Sequence, residues 1–243
     1  MAFGPDRTRY MTRSQAEVAQ LDEGLRHYML RVYNYMSLGV AFTGAIAMIV
    51  AMNPALVQAV ASMFWLFFIG ILGLGFLAPR IMTNKSIGAA QACFWVYAAL
   101  WGALLGPMMA AYAAVDPMII ARAFFITAGT FAGMSLLGYT TKKNLAPMGA
   151  FLAMATIGLL IALLVNVFFF QDSGFHLLLS VGVVLVFSGL TAYETQQIKN
   201  MYYEADGAEV TTKKAIFGAF MLYGSFVTLF IYILHILGAL RGE

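Results

Sequence analysis

Seven apolar runs of about twenty residues each, separated by breakers, constrain this chain more than anything else in it. They fall at 32–52, 59–78, 88–109, 118–137, 148–170, 175–193 and 215–237. Each is long enough to cross a hydrocarbon layer about 30 Å thick as a helix, and only helices or closed barrels satisfy their backbone polar groups there. Between them stand Asn53-Pro54, Pro79, Gly106-Pro107, Asp116-Pro117, Pro147 and Asp172-Ser173-Gly174, residues that end helices or make turns. The fifth and sixth runs are so close that they could be one span. Together they exceed 40 residues, too long for a single crossing, and a tight hairpin is expected instead.

Composition agrees. Hydrophobic residues make up 62% of the 243 and charged residues 10%, and mean hydropathy is +0.82. A soluble domain needs about 25% charged residues to cover its surface. The expected fold class is therefore an all-α integral membrane protein, a seven-helix bundle with no soluble catalytic module. Two segments are expected: residues 1–31 as a cytoplasmic N-terminal segment and 32–240 as the transmembrane domain.

The formal charge of +3 invites a nucleic-acid reading, but its distribution argues against that partner. The N-terminal segment carries Arg7, Arg9, Arg13, Arg26 and Arg31. Loop two has Arg80 and Lys85, loop four Lys142 and Lys143, loop six Lys199, Lys213 and Lys214. Loops one, three and five have none. This alternation places the N-terminus in the cytoplasm and the C-terminus outside, with Arg241 alone on the wrong side. Arg7, Arg9 and Arg13 lead into more polar sequence, so no signal peptide is expected. Ser14-Gln15-Ala16-Glu17 has capping-box spacing, and Val18, Leu21, Leu25, Met29 and Val32 share a helical face. The segment reads either as an amphipathic helix on the membrane surface or as an ordinary polar tail. The single cysteine, Cys93, lies in an apolar run and reads as a packed free thiol, with no intrachain disulfide.

Glycines recur in pairs: Gly70 and Gly73, Gly102 and Gly106, Gly129 and Gly133, Gly182 and Gly189. Two pairs have the four-residue spacing that lets helix backbones approach in lipid. Tyr33, Tyr139, Tyr193 and Tyr202, near predicted span ends, fit interfacial anchoring.

Ionisable residues within or beside spans are the candidates for function. Arg122 is near enough to the outer face to snorkel, and Arg80 follows Pro79 at the inner end of the second run. Glu194 closes the sixth run, on a face shared with Phe187, Leu190 and Ile198. Counted from Phe175 it lies about 28 Å along the helix, either facing the bundle or at the inner water boundary. Metalloprotease, Walker and nucleophile-elbow motifs are missing, and the last run has no lysine for a retinal Schiff base. His27 is cytoplasmic. His176 and His235 could meet at the outer ends of the last two helices, but no third metal ligand stands near them in sequence. No cofactor, metal site or enzymatic activity is expected.

Three stretches resemble the Bax inhibitor-1 family, particularly its short-looped bacterial branch. They are Ala121-Arg122-Ala123-Phe124-Phe125-Ile126-Thr127-Ala128 with the following loop Gly138-Tyr139-Thr140-Thr141-Lys142-Lys143-Asn144-Leu145, then 189–199 through Tyr193-Glu194-Thr195, and Leu222-Tyr223-Gly224-Ser225-Phe226-Val227-Thr228. The resemblance covers roughly 30–240. It implies seven helices around a central last one, and a pH-sensitive calcium leak. In that family two aspartates and an arginine form the proton-sensing gate. The first aspartate falls on Glu194 and the second on Ser225, which has no carboxylate; Arg80 is the arginine by position. Thr228, where the family usually has Asn, and Tyr193 would line a cation path. Two adjacent carboxylates split their titrations, which one carboxylate opposite a serine cannot do. Calcium takes six to eight oxygen ligands, so Glu194 with hydroxyls and carbonyls would make a weak site.

Three functions follow, in this order: a leak channel for calcium or another cation gated at Glu194; a non-transporting partner that regulates other membrane proteins, such as a quality-control protease; and an intramembrane enzyme. The first needs a polar cavity at Glu194, the second a sealed core, the third a second acid or base within reach of Glu194. The membrane expected is the bacterial inner membrane.

Overall fold

The computed structural model describes the backbone of residues 13–241, and side chains from residue 23. Among the described residues it contains eight α-helices and no strand. They are α1 (Arg13–Ala51), α2 (Pro54–Ser62), α3 (Phe64–Asn84), α4 (Ile87–Val115), α5 (Pro117–Thr140), α6 (Ala146–Val165), α7 (Ser173–Met201) and α8 (Ala208–Ala239). All but the short α2 are long and apolar enough to cross a membrane.

Four of the six sequence breakers act as read, Pro147 among them in the first turn of α6. Asn53 caps α2, its Oδ1 accepting from the Ala55 amide at 3.0 Å, with Pro54 in the first turn where a missing N–H costs nothing. Asp116 and Pro117 start α5 in the same way, Met118 N donating to Asp116 Oδ1 at 2.9 Å. The expected hairpin is formed by a single π-helical turn, Asn166–Phe170, then Gln171 in the left-handed region (φ 50°), then the Asp172 cap of α7. Buried Asn166 ties the turn together through both the amide and the carbonyl of Asp172.

Pro79 and Pro107, expected as breakers, lie inside α3 and α4. Each removes one backbone donor, but in lipid no water competes for the rest of the ladder, so continuing the helix costs less than ending it. The first run likewise does not start a new helix at residue 32. α1 is continuous from Arg13, and Met29 and Val32 of the amphipathic stripe are buried in the bundle. The capping box and the side chains of Val18 and Leu21 lie outside the residues whose side chains are described.

The bundle is built around α8, which packs on α1, α3, α4, α5 and α7. Leu222, Tyr223, Leu229 and Leu234 are buried within it. Tyr223 Oη donates to Thr43 Oγ1 at 2.7 Å, and that hydroxyl donates in turn to Ala98 O, joining α1, α4 and α8. α6 packs on α7 and the turn it feeds, which makes it peripheral among the described residues. Large apolar side chains such as Phe76, Phe125 and Phe169 are exposed, as expected where the solvent is lipid.

The glycine pairs divide. A methyl group at Gly102 or Gly106 would run into Ile46 or Val50 of α1, so this pair does set a close crossing. At Gly129 and Gly133 a methyl would meet nothing within 4 Å. Spacing alone does not reveal which face a helix turns to its neighbour.

Candidate functional site

The segment 194–199 fastens α7 to the elements around it, one residue at a time. Glu194 points toward α8, and Ser225 Oγ donates to its Oε2 at 2.7 Å. Thr195 faces the other way. Its Oγ1 lies 3.0 Å from Ser135 Oγ of α5, which in turn lies 2.6 Å from Tyr33 Oη of α1. Gln196 holds the α5–α6 loop at both ends of its amide, accepting from Leu145 N at 2.8 Å and donating to Lys143 O at 2.9 Å. Ile198 is buried against Gly218, where a side chain would collide with it. Lys199 Nζ donates to Tyr139 O at 2.8 Å, a cation at the carboxyl end of α5 where the helix dipole favours one.

Two of the sequence-predicted site residues therefore meet, Glu194 and Ser225. The others do not join them. Arg80 is exposed and enters no ion pair among the described residues. Thr228 sits one turn beyond Ser225 and donates to Gly224 O at 2.9 Å, within its own helix. Tyr193 lays its ring on Gly149 of α6. Nor does Glu194 close its helix: α7 runs on to Met201, about two turns further, so the carboxylate is part-buried inside the span.

The described hydroxyls form a belt at one level of the bundle, Tyr33, Ser135 and Thr195 on one side of α7 and Ser225 on the other. Sequence reading passed over Thr195. The available signal was Thr191 and Thr195 four apart in an apolar run, since a hydroxyl in lipid must find an acceptor; Thr195 also donates to Thr191 O at 2.8 Å.

At the opposite end, His176 and His235 do come together, ring centroids 5.3 Å apart, in a cleft of about 430 Å³ with Asn166 and Asp172. Among the described residues no group of three or more His, Cys, Asp or Glu is arranged to hold a metal. Asp116, Arg122 and Arg241 gather near the same end. Asp116 hydrogen-bonds Arg241 and lies 3.9 Å from Arg122. The Arg241 hydrogen bond, with the Met118 amide, holds the Asp116 carboxyl below its usual 3.8. Arg241, the exception to the charge alternation, thus faces an acidic partner.

The family model described as Inhibitor of apoptosis-promoting Bax1 matches residues 25–242. A protein of Rickettsia prowazekii is 40% identical over 222 residues, covering 90% of this chain and 92% of its own length. A Caulobacter vibrioides protein is 37% identical, covering 91% and 92%. The Escherichia coli protein called Inner membrane protein YbhL is 36% identical, covering 92% and 96%.

Proposed function

Since the chain belongs to the Bax inhibitor-1 family, a family of multi-pass membrane proteins, we propose that it is a pH-sensitive leak for calcium or another cation, with Glu194 as the proton-sensing gate. The membrane is the bacterial inner membrane and the N-terminus is cytoplasmic. The observation that carries this reading is the Ser225–Glu194 hydrogen bond between α7 and the central α8. An ionised carboxylate only accepts hydrogen bonds, whereas a protonated one also donates. Adding a proton therefore changes what Glu194 can offer Ser225, and with it the fit of α7 on α8. Lacking a second carboxylate, the gate selects calcium weakly over other cations.

Ion flux into liposomes carrying the purified protein, measured between pH 6 and 8, tests the proposal. Wild type should leak in a pH-dependent way, Glu194→Gln should lose that dependence, and Ser225→Asp should steepen it. Identical flux in all three proteins at every pH would overturn it. The packed core beside Glu194 favours a second reading, a non-transporting partner that regulates another membrane protein. Flux equal to that of protein-free liposomes for every cation would select it.

A further inference from the structure

α1 packs on α4 and α8, and α5 packs on α7 and α8, which leaves a groove between α1 and α5 with α8 as its floor. It is bridged by the Tyr33–Ser135 hydrogen bond. Toward one end it encloses about 860 Å³ between Leu30, Val40, Ala132, Leu136 and Phe226. A second space of about 740 Å³ continues it toward the other end, sharing Val40, Gly44, Phe124 and Phe226. Both walls are apolar and open sideways to lipid.

Its charge is one-sided. Arg26 lines the first cavity at its end, opposite Tyr139, and is exposed there. Lys199 sits beside Tyr139, and Lys142 and Lys143 follow the end of α5. Among the described residues no Asp or Glu lines either cavity. The groove is thus apolar along its length and basic at the end where the cytoplasmic headgroups are expected.

Charge separates the two kinds of occupant that an apolar groove in a membrane could take. An apolar helix would meet the walls alone, whereas an anionic lipid meets both features, its chain on the walls and its phosphate at the Arg26 end. From Arg26 to Gly44 the wall is about 27 Å long, room for an extended acyl chain and its headgroup.

We infer that the groove between α1 and α5 is a binding site for an anionic glycerophospholipid, an acyl chain lying against Gly44 and Phe226 and the phosphate meeting Arg26. The charge of the headgroup selects the lipid, and the depth of the groove holds the chain.

Gly44 supplies the test. It lines both cavities, and a methyl there meets nothing within 4 Å, so Gly44→Leu fills the groove without disturbing the helices. Delipidated full-length protein is titrated with dioleoyl phosphatidylglycerol or dioleoyl phosphatidylcholine, and bound lipid is counted by native mass spectrometry. Wild type should favour the glycerol lipid by about fivefold, the factor expected from one arginine at a membrane surface. Arg26→Gln should bind both lipids equally. Gly44→Leu should lose binding of both by about tenfold at an unchanged melting temperature. If that variant melts early, Ala132→Leu on the opposite wall is substituted for it. Equal binding of the two lipids by wild type, or wild-type lipid retention by a folded groove-filling variant, would overturn the inference.

Discussion

Ser225 and Gly138 show how single positions hold α7 in place. Ser225→Ala removes the donor to Glu194 and should cost about 1 kcal/mol, between the usual worth of a hydrogen bond to a charged group and the smaller values found inside membranes. A double-mutant cycle with Glu194→Ala, which leaves Ser225 no acceptor, read by unfolding in lipid, should return most of that as coupling; additivity of the two would mean the pair does not interact. Gly138 is a matter of volume. A methyl there would collide with the backbone carbonyl of Ala192, so Gly138→Ala should cost about 1–3 kcal/mol by forcing α5 off α7. Gly133→Ala, on the same helix, has open space and should change stability by less than about 0.5 kcal/mol. Glu194 was legible in the sequence because an acidic residue in an apolar run is uncommon. Its partner was not: Ser225 is one of several hydroxyl residues in its helix, and only the family resemblance singled it out. Arg80 was placed by position, and the structure leaves it exposed because nothing in a sequence reports which way a helix end faces.

At the scale of helices, caps decide more than prolines do. Asn53, Asp116 and Asp172 each stop one element and start the next with a side-chain acceptor, and all three positions were readable. Pro79 and Pro107 were read as stops and are not, because the rule was learned where water can take over a broken backbone bond. Residue 32 was read as a boundary for a related reason: polarity changes there while the helix does not. The α5 cap carries a prediction of its own. Asp116 has a lowered folded-state value, so its contribution is present above the ordinary aspartate range and is lost as pH falls through the lowered folded value. Asp116→Asn keeps a capping acceptor but loses the charge facing Arg241 and Arg122. It should melt earlier than wild type at pH 7, and the gap should close as the pH falls below about 4. A gap unchanged between pH 7 and pH 3 would assign the loss to capping alone.

For the whole molecule, the alternation of basic loops was the clearest signal of orientation, and it can be tested without knowing any activity. With Cys93 buried, a new cysteine at Lys143 or Gly207 should resist a membrane-impermeant maleimide in intact cells and react after permeabilisation. One at Gly174, in the turn before α7, should react at once. The reverse pattern would invert the topology. Seven crossings were legible because lipid demands long apolar runs; the order in which they pack was not, because every run looks alike to a bilayer. That order has a consequence for biosynthesis. α8, the hub, leaves the ribosome after the five helices that pack around it. During translation those helices stand in the bilayer around an unfilled centre, so the newborn bundle depends on the insertion of α8, and a nonsense mutation ahead of residue 208 would leave a shell for membrane proteases to clear.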